Sequence, residues 1–235
     1  MVRRMSVLTM AAALIVLVSG MATAAPSFLS TTGGILAPND AMLAPGDFSA
    51  NLHSIDLMNN PSVMGANVGV TENLELGIAR FDPDSVTVDE ETFLNGKYLV
   101  RGETIMSPSL VVGVVDATGD LDPGGDPGFY AVAGKNLTSI ATNLAGEPVQ
   151  PIRGYVGIGT GIYSGIFAGI DWTLNSRVKI IGEFINEINV KNTIAEESMF
   201  NAGVRFTLTD SLRGDIAIIN GEDMGFGISY RKLGL

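Results

Sequence analysis

The sequence has no cysteine, one histidine and few charged residues: only 17% of its 235 residues are Asp, Glu, Lys or Arg. Without cysteine, a disulfide scaffold and a thiolate metal site are excluded. The single histidine, His53, excludes a metal site that gathers several histidine ligands. The net charge of −11 argues against a nucleic-acid partner, because phosphates bind to basic surfaces. No cofactor is predicted.

Long apolar runs are also missing. The longest, residues 5–18, is shorter than the roughly 20 residues that a transmembrane helix requires, so a helical membrane protein is excluded. Hydrophobic residues nevertheless make up 46% of the chain, which excludes a disordered protein. The hydrophobic residues are therefore spread along the sequence in short segments.

The N-terminus has the three-part pattern of a secretory signal peptide. Arg3 and Arg4 precede the apolar run, and Ala22-Thr23-Ala24 forms a small-residue cleavage site. We therefore predict a signal peptide over residues 1–24, an N-terminal segment over 25–45 that leads into the fold, and a barrel domain over 46–235.

The rest of the chain alternates between apolar and other residues with period two, as strands with one apolar face do. From Phe200 to Leu208, every second residue is apolar, and the residues between include Gly203 and Arg205. Glycine and charged residues dominate this second face, which suits a crowded barrel interior better than a solvated sheet face. The pattern predicts twelve strands, at residues 47–55, 63–70, 74–81, 94–102, 109–116, 129–135, 152–160, 165–173, 177–186, 200–208, 212–219 and 224–231.

The connections between these strands alternate in length. Tight turns that contain threonine lie at 71–73, 173–176 and 207–211, whereas long acidic connections lie at 82–93, 117–128 and 187–198. Short turns on one rim and longer loops on the other are typical of outer-membrane barrels. The connections at 136–151, 161–164 and 220–223 depart from this rule.

Together these features predict an all-β fold, a single transmembrane antiparallel β-barrel of about twelve strands. We expect a monomer in the outer membrane of a Gram-negative-type bacterium, in contact with outer-membrane lipid. The alternative is a secreted soluble β-sandwich or small barrel that binds a ligand.

Aromatic residues are expected near the two ends of the outward faces, where membrane interfaces favour them. The alternative is that aromatic residues simply favour strands. The predicted interface aromatics are Trp172, Phe206 and Tyr230 at the short-turn end, and Tyr130, Phe184 and Phe200 at the other end.

The charged residues of the inward faces include more basic than acidic side chains, although the chain as a whole is acidic. Basic rings in a pore select anions, so these residues predict a narrow passive channel for an anionic solute or polysaccharide. The alternative is a closed, envelope-structural interior in which Arg213 pairs with Asp215 and Lys179 with Glu183. The predicted lumen-facing residues are Glu75, Lys97, Arg101, Lys135, Arg153, Asp171, Lys179, Glu183, Arg205, Arg213, Asp215 and Arg231.

Two further patterns contain residue types that occur at functional sites. The glycine-rich loop 116–128 is a weak calcium candidate, because carboxylate oxygens bind calcium, but its spacing is not that of a known calcium loop and a solvated loop is the alternative. Its acidic residues are Asp116, Asp120, Asp122 and Asp126. His53 shares a strand face with Asn51, but no catalytic motif accompanies it, so no enzymatic activity is predicted.

Several segments together resemble the YjbH-like family of outer-membrane barrels. They include FYAVAGKNL (129–137), RGYVGIGTG (153–161), GIFAGIDWTL (165–174) and, before the first strand, GGILAPNDAMLAPGDFSANLH (33–53). The resemblance implies a link to exopolysaccharide production. The chain departs from the family in being much shorter and in lacking a terminal phenylalanine.

Overall fold

The computed structural model describes residues 24–56, 59–85, 89–139, 141–142, 148–149, 151–191 and 193–234. The predicted signal peptide, apart from Ala24, lies outside the described residues. No helix in these ranges is long and apolar enough to cross a membrane.

Twelve strands form a closed antiparallel barrel, as the alternation predicted, and two short strands pair separately. The barrel closes where the first strand pairs with the last, with Phe48 opposite Lys232 and Ile55 opposite Gly225. The barrel strands are β1 (Phe48–Ile55), β2 (Ser62–Gly69), β3 (Leu74–Asp82), β4 (Glu91–Arg101), β5 (Ser109–Val115), β6 (Gly128–Asn136), β9 (Arg153–Gly159), β10 (Gly165–Asn175), β11 (Val178–Val190), β12 (Ile194–Thr207), β13 (Leu212–Ile219) and β14 (Asp223–Lys232). The separate pair is β7 (Ala141–Thr142) and β8 (Pro148–Val149).

The barrel has two distinct ends. We define the terminal mouth as the end where β1 begins and β14 ends, and the loop mouth as the opposite end. One predicted connection was wrong: residues 187–198 are mostly strand, and only 191–193 separate β11 from β12. The acidic residues in this stretch obscured a continuing apolar alternation, in which Ile188, Val190 and Ile194 are buried.

The outer surface of the barrel is apolar. Its exposed side chains are mainly aliphatic and aromatic and come from strands all around the barrel, including Leu52, Met64, Ile78, Leu94, Val112, Phe129, Ile158, Ile170, Phe200, Ile216 and Phe226. Such a surface is stable against lipid but not against water. The closed barrel with an apolar outside replaces the alternative of a soluble β-sandwich.

Candidate functional site

The interior of the barrel is filled by the chain's own N-terminal segment. Residues 24–44, here called the lumen segment, contact the inward faces of strands on opposite sides of the barrel. Leu29, Leu36 and Ala37 are completely buried. The segment folds back on itself, because Phe28 donates its backbone N–H to Ile35 O (2.7 Å) and Gly33 donates to Ala25 O (3.0 Å). It therefore occupies the space in which a solute would pass.

Small residues on the inner wall make room for this segment. A Cβ atom at Gly65 would lie 1.9 Å from Ser30 Oγ, and one at Gly225 would lie 2.7 Å from the Phe28 ring. Any larger side chain at these two positions would collide with the lumen segment. The wall and the segment are thus shaped to each other.

Glu183 is the wall residue that binds three successive backbone amides of the segment. Its carboxylate accepts the backbone N–H groups of Ile35 (3.1 Å), Leu36 (2.9 Å) and Ala37 (3.0 Å). Asn201 Nδ2 (3.0 Å) and the Tyr155 hydroxyl (3.1 Å) also donate to it. Three successive amides converging on one carboxylate make a strong anion nest, which fixes this turn of the segment inside the barrel.

Lys97 and Glu75 hold the opposite side of the segment. The Lys97 ammonium, only 2% exposed, donates to the carbonyl oxygens of Thr32, Asn39 (3.0 Å) and Ala41 (3.1 Å). Glu75 accepts the Thr32 hydroxyl (2.8 Å) and the backbone N–H of Leu43 (2.8 Å). These two wall charges therefore satisfy backbone and hydroxyl groups of the segment that would otherwise be buried without partners.

A third group of contacts lies on β12, β13 and β1. Arg205 pairs with Asp215 and donates to Pro26 O (3.0 Å) and Gly34 O (3.2 Å), while Arg213 donates to Ala24 O (2.9 Å).

His53 is buried beside this group of residues. Its Nε2 lies 3.6 Å from Asp215 Oδ2, its Nδ1 lies 3.0 Å from Asn51 Nδ2, and its ring packs on Phe28 at 4.5 Å. The histidine is enclosed by the segment and the wall.

The only charged side chain of the lumen segment, Asp40, lies at the terminal mouth. Its carboxylate accepts Arg153 Nε (3.0 Å) at Oδ1, and at Oδ2 it accepts both Arg153 Nη2 and the Ser109 hydroxyl. Burial raises the pKa of Asp40, but the bonds and charge of Arg153, with the Ser109 hydroxyl and the charge of Lys97, lower it more, so that the net pKa is lowered. A Cβ at Gly134 would lie 2.1 Å from this carboxyl group, so glycine is required there.

Ten of the twelve predicted lumen charges lie on inward faces, buried or half-buried. They are Glu75, Lys97, Arg153, Asp171, Lys179, Glu183, Arg205, Arg213, Asp215 and Arg231. Their pairing differs from the alternative prediction: Asp215 pairs with Arg205, and Lys179 with Asp171 at 3.4 Å. Most of them bind the lumen segment, a partner that the strand pattern does not reveal.

The other two predicted charges do not face the lumen. A register shift between Leu99 and Arg101 pairs Arg101 with Leu110 and leaves it exposed at the end of β4. Lys135 lies on the outer face of β6, where its ammonium donates to Thr104 O (2.9 Å) and Ile105 O (3.0 Å).

One predicted interface aromatic is also wrong. Tyr130 is 4% exposed and faces the interior, whereas its neighbour Phe129 is 58% exposed and faces outward. β6 carries apolar residues on both faces, so alternation did not fix its orientation. The other five lie on the outer face: Trp172, Phe200, Phe206 and Tyr230 are exposed, and Phe184 is half-buried with its ring 4.9 Å from that of Phe200.

The calcium candidate is a loop held by its own hydrogen bonds. Asp116, fully buried, accepts the backbone N–H groups of Gly119 (3.0 Å), Asp120 (3.1 Å) and Leu121 (2.7 Å). Asp122 accepts Gly124 N (2.7 Å) and Asp126 N (3.2 Å) in the same way. In the described parts of the chain, no three acidic or histidine residues are grouped as metal ligands.

Sequence comparison gives no relatives: no protein-family model and no curated protein matches the chain. Solved structures do match. The KdgM porin has a TM-score of 0.54 at 9% identity, and the match covers 78% of this chain and 97% of that one. The fold is that of an outer-membrane porin.

A second structure of that porin, in complex with disordered oligogalacturonate, matches with a TM-score of 0.52 at 9% identity, over 78% of this chain and 97% of that one. The outer membrane protein Omp33 of Acinetobacter baumannii matches with a TM-score of 0.44 at 9% identity, over 83% and 100% of the two chains. The porin fold and the apolar outer surface both indicate an outer-membrane protein.

Proposed function

We propose that this protein is an outer-membrane passive channel that its own N-terminal segment closes at rest. The observation that supports this function is the lumen segment, buried inside a twelve-stranded barrel. Barrels of about eight strands are filled by side chains, and those of sixteen or more hold water. Twelve strands lie between these sizes, and in this barrel the main chain of the lumen segment occupies the interior.

The proposed solute is anionic. Of the ten predicted lumen charges that lie on inward faces, six are basic, namely Lys97, Arg153, Lys179, Arg205, Arg213 and Arg231, and a basic wall favours anions once the lumen is open. The oligogalacturonate complex of the KdgM porin is a precedent for an acidic saccharide at such a barrel. The resemblance to the YjbH-like family extends the proposal to exopolysaccharide export.

A second candidate function is a permanently closed envelope-structural barrel. It is favoured by the completeness of the contacts around Glu183, whose carboxylate has five donors within 3.1 Å. The two functions differ in whether the segment ever leaves the lumen.

Planar-bilayer recording of the folded mature protein distinguishes them. We expect a closed baseline with discrete openings, and a reversal potential in a salt gradient that shows preference for anions. The control is Ile158→Val, which changes only the outer face. Silence over repeated insertions of protein with heat-modifiable gel mobility would favour the structural function, and a cation preference would contradict the anionic solute.

A further inference from the structure

We propose that Arg153 and Ser109 form a carboxylate-binding site that Asp40 occupies internally, and that a soluble carboxylate competes with Asp40 there and releases the lumen segment. This inference rests on the proposed function and adds a ligand class and a means of opening. The ligand chemistry is that of an acidic sugar or another small organic acid.

The geometry around Asp40 is that of carboxylate recognition. The guanidinium of Arg153 presents two parallel donors, Nε and Nη2, one to each oxygen of the carboxylate. The Ser109 hydroxyl adds a third donor to Oδ2 and itself accepts Arg153 Nη2 at 3.2 Å. A bidentate guanidinium with a hydroxyl is specific for planar oxyanions, so the site recognises the carboxylate rather than the rest of the residue.

The site is held in shape by residues outside the lumen segment. The remaining nitrogen of Arg153, Nη1, donates to Glu103 Oε2 (2.7 Å) and to Asn136 Oδ1 (3.0 Å). Glu103 belongs to the β4–β5 connection and Asn136 ends β6, so neither leaves with the segment. Arg153 therefore stays oriented when Asp40 is absent, and its Nε and Nη2 are free to bind another carboxylate.

The position of the site allows a solute to reach it. Arg153 begins β9 and Ser109 begins β5, which places both at the terminal mouth. The Arg153 side chain is 12% exposed and that of its partner Glu103 is 22% exposed, whereas Lys97, deeper in the lumen, is almost fully buried. Among the wall cations that bind the segment, Arg153 is the most exposed, and because the Asp40 side chain beside it is only 1% exposed, a soluble anion reaches the donors of Arg153 as Asp40 moves aside.

The chain makes a tight turn beyond Asp40. Gly46 adopts a positive φ of 80°, a conformation that glycine accepts without strain, directly after Pro45. Asp47 then pairs with Arg231 and accepts Gly234 N at 2.7 Å, which fixes the chain to the end of β14. Loss of the Asp40 contact therefore weakens the hold on the segment next to a fixed anchor, while the bonds to Glu183 and Lys97 remain.

Asp40 belongs to the same chain as Arg153, and this covalent connection sets the concentration of free carboxylate that is needed to displace Asp40. Asp40 is presented to Arg153 at an effective concentration on the order of millimolar or higher, so a single free carboxylate must compete at comparable concentration. Removal of the Asp40 charge removes this competitor and is expected to reveal the affinity of the Arg153–Ser109 site for a free carboxylate.

The test measures by calorimetry how tightly D-glucuronate binds to the folded protein in detergent. D-glucose is the neutral control ligand. We expect Asp40→Asn to bind glucuronate at least about tenfold more tightly than the intact protein, since the tethered competitor is gone. Arg153→Gln in the Asp40→Asn background should abolish this binding. Glu90→Gln is the control, because it removes an acid that is paired with a different arginine, Arg80, on the exposed surface outside the lumen, and it should bind no more tightly than the intact protein.

Bilayer recording completes the test. Glucuronate, but not glucose, should raise the open probability of the intact protein, and Asp40→Asn should open more often than the intact protein in the absence of ligand. Equal glucuronate affinity in Asp40→Asn and the intact protein, or affinity that survives Arg153→Gln, would overturn the carboxylate site. A protein that binds glucuronate as described but never conducts would instead contradict the proposed channel, so the two failures are distinguishable.

Discussion

Glu183 shows how one side chain determines the position of a whole segment. Its carboxylate, 5% exposed, is surrounded by five donors, three of them consecutive amides of the lumen segment. A buried carboxylate is stable only while such donors are present, and the amides are satisfied only while the carboxylate is present. The seating of the segment therefore depends on this residue more than on any one apolar contact.

We predict that Glu183→Gln lowers the free energy that holds the lumen segment in the barrel by about 2–4 kcal/mol, because the charge-assisted bonds are lost and the new NH₂ group faces donors. Amide exchange at Ile35, Leu36 and Ala37 measures this directly and should become faster. Glu187→Gln is the control on the same strand, since Glu187 bonds Asn189 rather than the segment. Unchanged protection in Glu183→Gln would contradict the role assigned to this carboxylate.

The lowered pKa of Asp40 predicts how its contribution to closure of the barrel depends on pH. Its pKa is lowered from 3.8 in the folded protein, so its contribution is complete above that value and is lost only as pH falls through the lowered pKa. The facing charged groups are Arg153, Lys97 and, across Arg153, Glu103. The rise in open probability that the intact protein shows and Asp40→Asn lacks should therefore begin only in strong acid, whereas a rise that both proteins share belongs to other carboxylates that hold the segment, such as Glu183. A rise at about pH 6, where ordinary carboxylates are still ionised, that is present in the intact protein and absent from Asp40→Asn would be inconsistent with Asp40 control.

At the scale of elements, the positions of the strands follow from the sequence, but the orientation of β6 and the position of the lumen segment do not. Period-two alternation predicted all twelve barrel strands and their order, because one face of each strand meets lipid. In β6 both faces are apolar, so Tyr130 and Lys135 were assigned to the wrong sides. The lumen segment has no periodicity, and its partners are distant in sequence: Leu36 and Glu183 are 147 residues apart. Within the segment's own sequence, only its glycines and its near absence of charge indicate a buried position.

The orientation of β6 predicts a contrast between two glycines of neighbouring strands. A Cβ at Gly113 would lie 2.4 Å from the Tyr130 ring and 2.6 Å from Gly96 O, whereas a Cβ at Gly96 would meet nothing closer than 3.7 Å. Gly113→Ala should therefore destabilise the barrel by about 1–3 kcal/mol through overpacking, and Gly96→Ala should be close to neutral. The unfolding midpoint, read from heat-modifiable gel mobility, tests this contrast. Equal midpoints would mean that Tyr130 does not pack against Gly113.

At the scale of the whole molecule, the barrel is apolar on the outside and filled on the inside. The apolar content, spread over alternate residues rather than gathered in one run, is accounted for by the lipid-facing surface. The inward charges are accounted for mainly by the lumen segment, which uses Glu75, Lys97, Glu183 and Arg205 as partners for its backbone. The interior of the barrel is therefore filled through contacts within one chain.

The most direct test of this account compares the conductance of the mature protein with that of a variant lacking residues 25–43, both verified as folded barrels by heat-modifiable mobility. We predict a closed baseline for the intact protein and a steady open conductance for the shortened one, because removal of the segment empties the lumen. The same open conductance in both proteins would show that residues 25–43 do not close the barrel, and would contradict the central claim.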